Sequence, residues 1–421
     1  MGLLDNITRA LKHKNYRVYF FWQFLSFIGT WIQSTAQSWL IYKLTGSALF
    51  LGIIGFASSI PSLLLAPISG VIADRFKRKH ILLATQILCL IQGIILIYLY
   101  FSGVITKWHI LYLAVLLGIA NSIDVTARQT FIPLLVAKED LLNAIALNSS
   151  MFNAARIVGP AIAGILISTY GEGCCFVLNV ISYIPIIIFL IFVSAKEQLI
   201  KKITSPFSQM KEGVLFAWNT TPIRYLLLTI GVFSFWGVAS SSLLPIVSDQ
   251  ILHKGAKGLG MLLGSSGIGA VAGGIVLASR QHVIGIKKII AIASITFSIG
   301  LFILAYSSNF ILTMLALSIM GFCTMIINAG SNTVMQAISP DHLRGRIIGL
   351  YSAMFMGMFP LGSLSLGYLA HKFTVPYAIS LGALICLCFG IYFSFQVKHL
   401  TKTAKDLIEV KENLNIVAKD Q

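Results

Sequence analysis

Apolar runs long enough to cross a bilayer recur along the chain, separated by short polar breaks. The pattern predicts about twelve spanning helices: 18–41, 48–72, 81–101, 109–131, 142–168, 174–194, 223–247, 259–279, 287–306, 310–337, 346–370 and 375–396. In hydrocarbon every backbone N–H and C=O must be paired internally, so these runs are helices. The longest internal break, 195–222, carries Lys, Ser, Thr and Pro206 and separates six runs from six. The expected fold class is an all-α membrane protein with an N-terminal six-helix bundle over 1–194 and a second over 223–397. Between them lies a cytoplasmic linker, 195–222, with a short surface helix. A polar tail, 398–421, is helical in part and reads as a solvated extension.

A weak internal repeat supports two similar halves. Leu117-Gly118 resembles Met320-Gly321 at an offset of 203 positions, Leu141 matches Leu343 at 202, and Pro160 matches Pro360 at 200. The register ties the fourth and fifth runs to the tenth and eleventh. Two related six-helix halves with a site near the midplane are a common transporter architecture.

Composition narrows the class. Only 11% of the 421 residues are charged and 57% are hydrophobic, whereas a soluble domain carries about 25% charge. The formal net charge of +17 does not point to nucleic acid, because the cations sit in short breaks between apolar runs. With both termini inside, the cytoplasmic side holds Arg9, Lys12, Lys14, Arg17, Arg75, Lys77, Arg78, Lys79, Arg344 and Arg346 among others. The outer loops then hold only Lys43, Lys107, Lys254, Lys257 and Lys372. This bias sets the orientation of a multi-pass membrane protein, with both termini cytoplasmic. Met1 to Tyr19 is basic and polar, so the first run reads as a retained span.

No metal spacing, disulfide framework, HExxH, GxSxG elbow or phosphate loop is present in the sequence, and an enzyme is not expected. Gly267-Ile268-Gly269-Ala270-Val271-Ala272 matches a dinucleotide fingerprint only in letters, since it lies inside a span. Gly260 with Gly264, and Gly269 with Gly273, are small residues four apart that let helices approach closely.

Charges inside a membrane are costly and mark function by default. Asp124 is the carboxylate well inside a span, with Arg128 one turn later on the same face. Arg156 lies midway along the fifth run, where it can approach Asp124 at similar depth. One reading is a proton- or substrate-responsive carboxylate with cationic partners; the other is a fixed ion pair, with Arg128 snorkelling to the interface. The first run carries Thr30, Gln33, Ser34, Gln37 and Ser38, a polar load that lines a cavity or bonds between helices. Gln33 and Gln37 share a face and are taken as cavity candidates, with Asp124, Arg156, Trp236 and Asn328.

Gly70-x-x-x-Asp74-Arg75-x-x-Arg78-Lys79 resembles the signature loop between helices two and three of the major facilitator superfamily, with Lys77 where that pattern has Gly. The matching loop of the second half keeps Gly273-Gly274 and Arg280 but no acid. Ala155-Arg156-Ile157-Val158-Gly159-Pro160-Ala161-Ile162-Ala163-Gly164 resembles the antiporter motif of the fifth helix, with alanine at two glycine positions. Ser47–Gly52, Asp124–Gln129 and Leu343–Ile347 are similar to the branch holding enterobactin exporters and macrolide efflux proteins, over about residues 10–397.

The resemblance implies the major facilitator fold, two pseudo-symmetric bundles rocking around a central cavity, and proton-driven export of a siderophore or a hydrophobic drug-like molecule. Besides the proton motive force it implies no cofactor, and its partners are a small-molecule substrate and the lipid bilayer, with the chain a monomer. Gly159, Pro160 and Gly164 then bend and pack the fifth helix. Asp74 becomes a gate carboxylate meeting the start of the eleventh helix near Arg344 and Arg346, where a helix N-terminus favours negative charge. The alternatives are an importer using the same gradient and a membrane interaction protein without transport.

Overall fold

Spanning segments that must pair their own backbone groups leave little room for any element but helix, and the chain is helical almost throughout. The computed structural model describes residues 8–193, 206–279 and 285–417. Twelve long helices follow in order: α1 Lys14–Thr45, α2 Ala48–Arg75, α3 Arg78–Phe101, α4 Lys107–Phe131, α5 Leu141–Tyr170 and α6 Glu172–Phe192. Then come α7 Thr221–Ile251, α8 Gly255–Ala278, α9 Ile286–Tyr306, α10 Phe310–Ile338, α11 Asp341–Lys372 and α12 Val375–Val417. Of the expected linker, 195–205 lies outside the described residues and Pro206–Asn219 is a helix. The tail helix is continuous with α12 as far as Val417.

Eleven of the described helices are long and apolar enough to cross a membrane. The exception is α1, whose 32 residues span about 48 Å at 1.5 Å per residue, more than the roughly 30 Å of hydrocarbon. Length is not what it lacks; Gln23, Gln33, Thr35 and Gln37 dilute its hydropathy, and all four are buried. The same inside-out pattern shapes α3, which buries Thr85, Gln86 and Gln92 while Ile87, Ile91, Ile94 and Tyr98 are exposed. An apolar stripe facing outward and amides facing inward are what a bilayer solvent selects.

Turn chemistry sets the helix ends. α1 stops at Gly46, whose φ of 59° is left-handed and whose N–H returns to the Tyr42 carbonyl. Thr106 caps α4 in a reciprocal box with His109, and the Asn309 side chain caps α10 through Leu312 N at 3.1 Å.

The chain divides into two compact units, Met1–Ile203 with Leu244–Gly267, and Thr204–Leu243 with Ile268–Gln421. In the first, α1 packs between α5 and α6, α2 along α4, and α3 against α4 and α6. In the second, α9 packs against α10 and α12. The third helix of each half thus rests on its fourth and sixth, which is the repeat in three dimensions.

The helix α7 is irregular. Ser240, Ser241 and Ser242 each donate to the carbonyl three residues back, at 2.6–2.8 Å, over a tightened 3₁₀ stretch Val238–Leu243. Wider π turns flank it at Phe233–Gly237 and Val247–Ile251. Serine hydroxyls and Pro245 compete with or withhold ladder bonds, which accounts for the departure from a straight α-helix.

Candidate functional site

The polar face of α1 is spent inside the first unit. Gln33 is 1% exposed; its amide donates to Gln92 of α3 at 3.0 Å and accepts from Asn179 of α6 at 2.8 Å. Thr30 meets the Tyr183 hydroxyl at 3.1 Å. Two glycines make this three-helix meeting possible. A Cβ on Gly29 would lie 2.2 Å from Ser182 Oγ, and one on Gly93 would lie 2.6 Å from Val180 Cγ2. Gln33 therefore binds helices together instead of lining a cavity, since both ends of its amide are satisfied by neighbours. Gln37 is also buried, with its amide nitrogen unpartnered.

Asp124 is 1% exposed on α4. One carboxylate oxygen accepts from Thr85 at 2.9 Å and Gln86 at 3.0 Å, both on α3. The other pairs with Arg128 on its own helix, whose guanidinium lies 4.3 Å from the Phe27 ring centre. Arg128 is itself buried. It does not snorkel, because a carboxylate one turn away and an aromatic face already compensate its charge. The expected meeting of Asp124 with Arg156 does not occur, since the acid is committed to Arg128, Thr85 and Gln86.

Arg156 has a different setting. It is half-buried on α5 and, among the described residues, has no hydrogen bond, ion pair or ring partner. Phe152, one turn earlier, packs edge-on against Phe27 at 5.2 Å and Trp31 at 6.0 Å. Asn153 and exposed Ser149 share its side of the helix. Gly159 allows the close approach of α1 behind this cluster: a Cβ there would sit 2.5 Å from Trp31 Cβ. Cation, amide, hydroxyl and aromatic wall thus gather on one face of the first unit.

The fifth-helix motif meets two neighbours. Gly159 faces α1, whereas a Cβ on Gly164 would lie 2.9 Å from the Gly260 Cα of α8. Buried Pro160 offers its carbonyl 2.6 Å from where a Gly260 Cβ would stand. The two small pairs of α8 are divided, Gly260 and Gly264 facing α5 and Gly269 and Gly273 facing α10.

In the signature loop, Lys79 donates to the carbonyls of Ile191 at 3.0 Å and Val193 at 2.8 Å, capping the C-terminal end of α6. Arg75 is exposed and Arg78 half-buried. The surroundings of Gly70 and the side chain of Asp74 lie outside the described residues, and with them the expected approach of Asp74 to α11. Arg346 pairs with Glu212 of the linker helix, whose Gly213 lies against the Arg346 stem; Arg344 is half-buried. Trp236 packs against Phe235 with ring centres 4.9 Å apart and planes tilted by 58°, in a π turn of α7. Asn328 donates to the Thr324 carbonyl of its own helix at 3.0 Å.

Three polar residues at the ends of spans escaped the sequence reading. The Tyr42 hydroxyl donates to Asp249 at 2.6 Å. Buried Glu172 accepts from Lys43 at 3.3 Å and Tyr100 at 2.8 Å. Together with Trp39, His253 and Lys257 they line an open chamber of about 730 Å³ at the junction of α1, α5 and the α7–α8 turn. The acid that closes α7 and the one that follows Gly171 were the available signals.

The family described as transmembrane secretion effector matches residues 8–417. The chain is 24% identical over 380 residues to a staphyloferrin A transporter of Staphylococcus aureus, covering 90% of this chain and 95% of that one. It is 24% identical over 406 residues to an enterobactin exporter of Escherichia coli, covering 92% and 93%. A crystal structure of a nucleoside transporter mutant superposes with a TM-score of 0.72 at 11% identity, covering 90% of this chain and 98% of that one.

Proposed function

Because the chain belongs to the transmembrane secretion effector family within the major facilitator superfamily, we propose that it exports a small organic molecule, of the siderophore class, across a bacterial inner membrane. Both termini face the cytoplasm, and the proton gradient drives an alternation of access. The observation that carries this reading is the seam made by Leu244–Gly267. This stretch of α7 and α8 packs with the first unit, while the remainder of both helices belongs to the second. α7 changes unit where its 3₁₀ turns end, and α8 changes at Gly267. The seam is held by small residues, Gly164 against Gly260, and by the Tyr42–Asp249 hydrogen bond. Small-residue contacts can part and reform without a side-chain rearrangement, and irregular turns absorb the change in backbone angle.

Asp124 is the proton candidate. Protonation removes the charge that holds Arg128, and a buried pair is sensitive to the loss of one partner. Asp74 is retained as the gate candidate of the signature loop.

The test is secretion. Cells lacking the gene should release less iron-chelating activity into iron-poor medium, and complementation should restore it. Everted vesicles energised with an acid interior should accumulate the secreted compound. Accumulation in right-side-out vesicles instead would make the protein an importer, and unchanged secretion with acquired sensitivity to macrolides would assign it a drug-like cargo. Asp124→Asn should abolish accumulation against a gradient while leaving compound binding within about 3-fold; undiminished uphill transport would remove Asp124 as the proton site.

A further inference from the structure

We propose that the cargo carries a carboxylate or comparable chelating oxyanion, and that Arg156 is the side chain that anchors it. The inference rests on the export reading and specifies the chemistry its cargo must have.

A guanidinium in a spanning helix is tolerated only with compensation, and within the first unit the described acids are paired with other side chains or stand in the turn before α5. Asp124 is held by Arg128, Thr85 and Gln86. Glu172 is held by Lys43 and Tyr100, and Asp249 accepts from Tyr42. Asp140 takes Arg9 and His13, and Glu139 lies in the turn before α5. Arg128 shows how this fold compensates an arginine, with a carboxylate one turn away and the Phe27 ring at 4.3 Å. Arg156 has neither.

Depth separates a cargo anion from a lipid phosphate. Arg156 stands near the middle of α5, Leu141–Tyr170, about 21 Å from either end at 1.5 Å per residue. An arginine side chain cannot reach headgroups from there. Its neighbours suit an amphiphilic anion. Asn153 and Ser149 supply polar groups on the same side, and Phe152 with Phe27 and Trp31 supplies an aromatic wall. A planar guanidinium holds a carboxylate through two parallel hydrogen bonds, which an ammonium cannot reproduce.

The experiment uses the full chain in phosphatidylcholine nanodiscs, so that no anionic lipid competes. The probes are calcein and citrate, both polycarboxylate chelators, and ethidium, a cation of similar aromatic character. Binding is followed by anisotropy for the fluorophores and by competition for citrate. Wild type should bind calcein, with citrate competing. Arg156→Gln should weaken calcein binding at least 10-fold and leave ethidium within 2-fold, whereas Arg156→Lys should fall between. The thermal midpoint of Arg156→Gln should hold or rise, because an uncompensated charge has been removed. Wild type that binds neither polycarboxylate overturns the proposal, as does Arg156→Gln that binds calcein as tightly as wild type. Secretion that persists in either case leaves export standing and removes only the anionic anchor. Calcein binding without proton-driven movement does the reverse. Adding phosphatidylglycerol to the nanodiscs should not alter calcein binding; displacement of calcein by that lipid would assign Arg156 to a headgroup and overturn the cargo reading.

Discussion

Asp124 and Arg156 are both charges inside spanning helices, and their surroundings give them opposite roles. Asp124 has three partners, Arg128, Thr85 and Gln86. Removing it strands a buried guanidinium, so Asp124→Ala should lower stability in detergent by about 3–5 kcal/mol, the usual cost of breaking a buried pair. Replacing both partners with apolar residues, Asp124→Leu with Arg128→Met, should recover most of that loss, to within about 1 kcal/mol of wild type. Thermal unfolding of the purified single and double variants checks this; equal losses in both would mean that the pair contributes net stability of its own. The sequence placed the two charges correctly at helical spacing, but it could not tell which neighbour Asp124 chooses. Thr85 and Gln86 lie 39 and 38 positions away, and no local pattern links them to it.

At the scale of the helix, the fifth span shows how small residues are divided between neighbours. Gly159 fits against α1 and Gly164 against α8, each with backbone in the way of a side chain. Gly164→Ala would put a Cβ 2.9 Å from Gly260 Cα and 3.0 Å from the Ala256 carbonyl. Helices cannot yield there by turning a side chain, so the seam should loosen by about 1–3 kcal/mol, the typical cost of overpacking. A cysteine at Ser168, which lines the chamber beside that seam, should then react with a maleimide several-fold faster. Gly345→Ala is the control, since nothing lies within 4 Å of its added Cβ and a helix-interior alanine should stabilise by about 0.5–1 kcal/mol. Equal labelling of Ser168→Cys with and without Gly164→Ala would show that the seam is not limited by this contact. The glycine spacing in α5 and α8 was readable from the sequence as a packing signal; which helix each glycine faces was not, because one helical turn carries two faces. The same ambiguity misplaced Gln33. Polarity in α1 required protein or water on one side, and the choice between them depended on Gln92 and Asn179, residues of other helices. Lys79, read as a marker of orientation, also caps α6; Lys79→Ala should cost about 0.5–1 kcal/mol by thermal unfolding and leave insertion intact.

For the molecule as a whole, the spanning helices and the repeat were legible, because bilayer-length apolar runs are written locally, whereas the break at 195–222 does not foretell that Leu244–Gly267 groups with the first unit. The division of α7 and α8 was not legible, because it depends on what their ends pack against. That division gives a direct test of alternating access. A Cβ on Gly264 would lie 3.7 Å from the Ala161 Cβ, inside the roughly 3.5–4.5 Å that a disulfide bridges. In a chain freed of its native thiols at Cys89, Cys174, Cys175, Cys323, Cys386 and Cys388, the pair Ala161→Cys and Gly264→Cys should crosslink rapidly under mild oxidant. If the α5–α8 seam must open in each cycle, the oxidised protein should lose more than about 90% of its transport rate and regain it on reduction; a tie of a few kcal/mol or more holds the seam shut. Cargo binding should survive oxidation, since the crosslink fixes a contact the protein already makes. Full transport by the quantitatively crosslinked protein would show that α5 and α8 move as one body, and the opening would have to be sought elsewhere in the bundle.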